Sequence, residues 1–258
     1  MSKVYLVGAG PGAADLLTVR AARVLGEADV VFHDALIGPD VLRLASRAVL
    51  VPVGKRSGRH STAQHFINKR LADAAARYGV VVRLKGGDPM LFGRAHEEIS
   101  YLRDRNIDVE VVPGVTAALA AAAELQLSLT QRGVARSVAF VTPRVGAGER
   151  DSGWLAAALA ADSVAIYMGM GEARAIAAAL IAGGKSGSTP VTIVQDASLP
   201  TCSIAHGTLA ELPIAADEGP GLILVGDILQ RYRPSTSGNV ATECGADDLS
   251  RRKASQSA

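Results

Sequence analysis

Cysteine is scarce in this chain of 258 residues. Its two cysteines, Cys202 and Cys244, fit neither a metal-ligand spacing nor a CxxC redox pair, so unpaired thiols in a reducing compartment are expected. Aromatic residues are also few, at 4% with a single Trp, while Ala, Val, Leu and Gly dominate a composition that is 48% hydrophobic. That balance suits an α/β protein better than an all-β sandwich. No apolar run reaches the roughly 18 residues of a membrane span; the longest lies around Val115–Ala123. The apolar start after Lys3 is broken by Gly8, Gly10, Pro11 and Gly12, so it reads as a strand rather than a signal peptide, and a cytoplasmic location is expected. Excess charge of either sign is missing too. With 27 basic and 25 acidic residues the net charge is +2, too small to argue for a nucleic-acid partner.

What is present is a set of loops at the ends of short apolar runs. In Val80–Glu98, VVVRLKGGDPMLFGRAHEE, Val80, Val81, Val82 and Leu84 read as a buried strand that stops at Gly86, Gly87, Asp88 and Pro89. The glycines let a ligand approach the main chain, and Pro89 pushes Asp88 toward an extended conformation that presents it outward. Ligands of open α/β sheets bind beyond the carboxyl ends of strands, so this loop is a site candidate by position.

The rest of the chain repeats that pattern. Val4–Val7 reads as a strand entering Gly8-Ala9-Gly10-Pro11-Gly12, with Thr18 capping a helix. Gly8, Gly10, Ala13 and Asp29 formally satisfy a dinucleotide-binding fingerprint, but Pro11 removes an N–H that such a phosphate cradle would use. Asp29–Phe32 leads to His33 and Asp34 at a strand end. Val49–Val53 leads to Gly54, Lys55, Arg56, Ser57, Gly58, Arg59 and His60, a cationic loop suited to anions or to plain solvation. Ser61 and Gln64 form a capping box for a helix with Phe66, Ile67, Leu71 and Ala74 on one face. A polar-faced helix is expected over Arg94–Arg105, a strand over Val109–Val112 and a domain boundary at Pro113-Gly114. From Thr116 an Ala-rich helix opens a second half that again alternates strand and helix. The expected division is residues 1–113, residues 114–233, and a disordered tail at residues 234–258, poor in large apolar residues.

The blocks GAGPG, VGKRSGRHS, VVRLKGGDPMLFGR, VPGVTAA, SLTQRG and YMG, in that order, resemble the uroporphyrinogen-III C-methyltransferases of the tetrapyrrole methylase family, over about Lys3 to Arg233. The resemblance implies two α/β domains with the active site in the cleft between them. It also implies a homodimer and S-adenosylmethionine as methyl donor, with S-adenosylhomocysteine as product. The implied reaction methylates uroporphyrinogen III at C2 and C7, giving precorrin-2 by way of precorrin-1. Cofactor contacts carry over to Pro11, Gly86, Gly87, Asp88, Leu91, Thr116, Ala117, Met168 and Ala197, and an acid–base pair to Asp34 and Lys55. The anionic macrocycle needs fixed cations, for which Arg56, Arg59, His60, Arg94, Arg132 and Arg136 are candidates. Gln131 stands where the family pattern has a histidine and cannot titrate as histidine does. Two other readings compete: a nicotinamide-dependent oxidoreductase, resting on the glycine fingerprint and Asp29, and a catalytically idle tetrapyrrole-binding protein.

Overall fold

The computed structural model describes residues 2–54, 64–145, 153–212, 219–231 and 242–243. The chain divides into two compact units, Met1–Ala117 and Ala118–Ala258; the division falls a few residues after Pro113-Gly114.

The first unit runs β1 (Lys3–Gly8), α1 (Val19–Glu27), β2 (Val30–His33), α2 (Pro39–Leu42), β3 (Val49–Pro52), α3 (Gln64–Ala75), β4 (Val80–Lys85), α4 (Ala95–Arg103) and β5 (Asp108–Val112). Its sheet has the order β3-β2-β4-β1-β5, and every neighbouring pair is parallel. Period-two alternation divides the strand residues between two helical layers. Val4, Leu6, Phe32 and Val81 pack with Leu71 of α3 and Leu102 of α4. Val7, Val31, Val82 and Leu84 pack on the other face with Ala21, Val24 and Leu25 of α1 and Val41 of α2. Both faces are covered, which is why the central strands read as nearly unbroken apolar runs. Thr18 caps α1 as expected, its hydroxyl accepting from the Ala21 N–H at 3.1 Å. Ser61 of the expected capping box lies outside the described residues.

At the amino edge of this sheet, Asp29 precedes β2 and its Oδ2 accepts from the amides of Gly79 (2.9 Å) and Val80 (2.8 Å), where β4 begins. A ribose-binding acid belongs at the opposite edge, so Asp29 no longer supports the nicotinamide reading.

The second unit begins within α5 (Ala117–Glu124) and continues with β6 (Val138–Val141), α6 (Trp154–Ala160), β7 (Ser163–Ile166), α7 (Ala173–Ala182), β8 (Pro190–Gln195), β9 (Ser203–Thr208), β10 (Gly221–Val225) and β11 (Thr242–Glu243). The sheet order is β11-β9-β8-β10-β7-β6. Here β6 and β7 are parallel and the other pairs antiparallel. Ala118, Ala121 and Leu125 cover one face, against Val194, Ile204 and Leu224. Ala158, Ile176 and Leu180 cover the other, against Val164, Ile193 and Ile223. Asp162 repeats the placement of Asp29: it precedes β7, and its Oδ2 accepts from the amides of Arg136 (2.8 Å) and Ser137 (3.0 Å) and from the Ser137 hydroxyl (2.8 Å).

Two expectations are corrected in this unit. Cys202 is disulfide-bonded, not an unpaired thiol, which removes the argument for a reducing compartment. Two cysteines this far apart in sequence carry no local signal of such a bond. The other cysteine, Cys244, lies outside the described residues. Likewise Thr242 and Glu243 form a strand inside the stretch expected to be a disordered tail; the remainder of that stretch lies outside the described residues. Composition showed too few large apolar residues to dock on a core, but edge pairing uses main-chain groups that any residue supplies.

Candidate active site

All five strands of the first unit are parallel, so their carboxyl ends share one edge. The loops after β1, β4 and β5 meet there main chain to main chain. Gly10 N donates to Gly87 O at 3.2 Å and Gly87 N to Gly10 O at 2.8 Å. A Cβ on Gly8 would lie 2.6 Å from Gly114 N and 2.7 Å from Gly87 O. That is closer than side-chain atoms approach, so glycine is required for the loops to touch. Pro11 sits half-buried just beyond the Gly10–Gly87 bridge.

Asp88 fastens this group, and here the expectation of an outward-facing carboxylate is corrected. Its Oδ1 accepts from Met90 N at 2.8 Å and its Oδ2 from Gly114 N at 2.9 Å. The first bond is the local turn that short acidic side chains favour; the second spans from β4's loop to β5's. Beyond it the chain stays strained, with Phe92 and Arg94 in the left-handed region at φ 52° and 54°. Gly86, in contrast, is exposed, and a Cβ there would meet nothing within 4 Å. Leu91 is half-buried, Thr116 is buried just before α5, and Ala117 opens that helix.

Asp34 follows β2 and is about one-third exposed; its Oδ1 accepts from Arg83 Nη2 at 2.5 Å. Arg83 itself is buried in β4. Its Nε donates to Glu98 Oε1 at 3.0 Å, and its Nη1 donates to Leu84 O at 3.0 Å and Phe32 O at 3.4 Å. The chain entering the cationic loop passes beside Asp34, since a Cβ on Gly54 would lie 2.5 Å from Ala35 N. Lys55, Arg56, Arg59 and His60 lie outside the described residues.

In the second unit, Met168 follows β7 with φ 56° and 47% of its surface exposed. A left-handed, exposed methionine is a costly arrangement that marks functional loops. Ala197 lies between Asp196 (φ 49°) and Ser198 (φ 74°). Its side chain is buried in the core with Ala118 and Ala121, so only its main chain is left to meet a ligand. Arg132 is exposed in a tight turn closed by Gln131 and Ala135, whose amides and carbonyls pair at 2.8 and 2.9 Å. Arg136 is exposed as well. Arg94 is engaged within the first unit: Nε and Nη2 grip Glu97 Oε1 and Oε2 at 2.6 and 2.8 Å. That grip is the main cause holding the Glu97 carboxyl below its ordinary value.

The family model described as Tetrapyrrole (Corrin/Porphyrin) Methylases matches residues 3–213. The chain belongs to this family. Among curated relatives, a siroheme synthase of Psychrobacter sp. is 43% identical over 90% of this chain and 49% of its own length; the chain thus spans about half the length of the curated relatives it matches. Uroporphyrin III C-methyl transferase of Thermus thermophilus in its native form superposes with a TM-score of 0.80 at 35% identity, covering 93% of this chain and 98% of that one. The structure of that enzyme complexed with S-adenyl homocysteine gives 0.79 at 37% identity, covering 89% and 99%.

S-adenosylmethionine is the methyl donor of tetrapyrrole methylases, and the residues present fit such a ligand. Gly86 offers open main chain at the edge where the loops converge, and Met168 exposes an adaptable thioether. What sequence reasoning missed was the buried set behind Asp34. Arg83 and Lys85 in an otherwise apolar strand, and Glu98 one helical turn from Ala95 and Leu102, were its only signals.

Proposed function

We propose that this methylase transfers two methyl groups from S-adenosylmethionine to uroporphyrinogen III, at C2 and C7, forming precorrin-2 by way of precorrin-1, and that it acts as a homodimer. The observation that carries the reading is Asp34: a partly exposed carboxylate at the carboxyl edge of a parallel sheet, oriented from behind by a buried guanidinium. When bound, S-adenosylmethionine supplies an electrophilic methyl group. A pyrrole carbon that gains it makes the ring cationic, and the ring recovers neutrality by losing a proton from carbon. Asp34 accepts that proton, with Lys55 as its acid partner. Pro11, Gly86, Gly87, Leu91, Thr116, Ala117, Met168 and Ala197 contact the cofactor, the last through its main chain. Asp88 contributes by holding the loop as well as by contact. Arg56, Arg59, His60, Arg94 and Arg132 bind the substrate's carboxylates, Arg94 by exchanging Glu97 for a substrate carboxylate. The similarity to the Thermus enzyme supports the choice of substrate.

Anaerobic incubation with uroporphyrinogen III and methyl-labelled S-adenosylmethionine tests this. A labelled product carrying two added methyl groups at C2 and C7 is expected. Absence of label transfer to uroporphyrinogen III, with transfer to a different tetrapyrrole, would overturn the substrate assignment. Asp34→Asn keeps the shape and removes the base, and is expected to lower turnover by about 10²-fold or more. Full turnover by that variant removes Asp34 from the chemistry.

A further inference from the structure

Behind Asp34 lies a cluster that the proposed reaction does not use. Arg83, Lys85 and Glu98 are all buried, Glu98 completely. Three donors crowd a single oxygen of Glu98. Arg83 Nε, Lys85 Nζ and Gln64 Nε2 reach Oε1 at 3.0, 3.2 and 3.0 Å, while Oε2 has no hydrogen-bond partner among the described residues. Two buried cations therefore face two carboxylates, one deep and one at the site. Burial pushes the Lys85 ammonium down from its ordinary value, and the Arg83 charge adds to this; Glu98 and Asp34 oppose it.

We propose that Glu98 is a positioning residue for methyl transfer, which by balancing Lys85 and clamping Arg83 limits how much buried positive charge Asp34 must offset while the Arg83 fork orients it. The alternation of β4 makes the arrangement possible: Val81, Arg83 and Lys85 point to the face covered by α3 and α4, where Glu98 projects from α4. Four N–H groups of the Arg83 fork are fixed, by Glu98, the carbonyls of Phe32 and Leu84, and Asp34. A buried ion pair is weak evidence for stability, because desolvation offsets most of the attraction. Its worth here is orientation. With Glu98 neutral, Arg83 and Lys85 would both lose their buried carboxylate, and Asp34, already bonded to Arg83, would offset more of their charge.

The inference rests on Asp34 being the base, and three variants of the full chain separate the two. Glu98→Gln should lower kcat about tenfold or more, with KM for uroporphyrinogen III and the affinity for S-adenosylhomocysteine within twofold of wild type. Adding Lys85→Gln to Glu98→Gln removes one cation and one anion together, and should restore kcat to within about threefold of wild type. A purely structural role forecasts the reverse, since the double variant loses further hydrogen bonds. Where Glu98→Gln fails to fold, the charge-balanced double variant carries the test: a folded double variant with kcat still depressed overturns the proposal. Asp34→Asn tells the failures apart. If it keeps full turnover, the base assignment falls and the role of Glu98 with it. If it is impaired while Glu98→Gln turns over like wild type, only the role of Glu98 is refuted.

Discussion

Asp88→Ala asks whether the acid of the GGDP loop serves a ligand alone or also the fold. The substitution removes both carboxylate oxygens and leaves the amides of Met90 and Gly114 without their partner. The bond to Met90 is exposed, so its amide finds water, and its loss costs about 0.5–1.5 kcal/mol. The bond to Gly114 is partly buried and joins segments 26 positions apart; a hydrogen bond to a charged group in such a place contributes about 1.5–3 kcal/mol. Together the cost is about 2–4.5 kcal/mol in the ligand-free protein, a large share of the about 5–15 kcal/mol by which domains are stable. Urea unfolding of wild type and variant without ligand measures it, through the shift in midpoint at constant slope. Calorimetry with S-adenosylhomocysteine then measures affinity on the folded protein, which should fall because the loop has lost its fastening. An unchanged unfolding midpoint, with affinity alone reduced, would refute the structural half of the argument and return Asp88 to a purely ligand-facing role.

Asp162 gives a pH-dependent counterpart. The Arg136 amide above all, then the Ser137 hydroxyl and amide, hold its carboxyl below the ordinary value. The folded protein thus binds fewer protons there than the unfolded chain. The contribution is present above the ordinary carboxylate value and is lost as pH falls through the lowered one. Melting temperatures of wild type and Asp162→Asn should differ at neutral pH and converge in acid; parallel curves would contradict this. Gly114→Ala tests the loop junction, since its Cβ would overlap the Gly87 carbonyl and lie 2.9 Å from Gly8 Cα. The strain should cost about 1–3 kcal/mol, read by urea unfolding, and should abolish S-adenosylhomocysteine binding in calorimetry. Wild-type affinity would show that the loops can part without harm to the site.

How far the molecule could be read from its residues depended on whether the signal was local. Val80, Val81, Val82 and Leu84 make Val80–Lys85 mostly apolar, and two glycines follow it, so strand, burial and strand end were all visible. The second half alternates strand and helix as expected, with Val138–Val141 a strand and Trp154–Ala160 a helix. Asp34 was recognised as a strand-end acid, but its partner was not. Arg83 lies on another strand, and adjacency of β2 to β4, rather than to β1, follows from the crossover order alone. Asp88 was found and then misdirected: an acid after two glycines looks outward until the Gly114 amide from the next strand's loop is in place. The disulfide of Cys202 was not legible, because the spacing of two distant cysteines carries no local signal.

Asp29 looks incidental to the chemistry, standing at the amino edge of a sheet that works at its carboxyl edge. Yet it indexes one edge to the other. By fixing the Gly79 and Val80 amides it sets how far β4 is threaded past β2, with Phe32 opposite Arg83. A slip of one residue would advance the strand by about 3.3 Å and turn every side chain to the opposite layer. Arg83 would then face α1, away from Glu98, and Asp34 would stand alone. The aim of a base at one rim is thereby calibrated by a carboxylate at the other, as a ruler is read from its zero mark, and tolerance to change at Asp29 should be judged by the alignment it keeps rather than by its distance from the site.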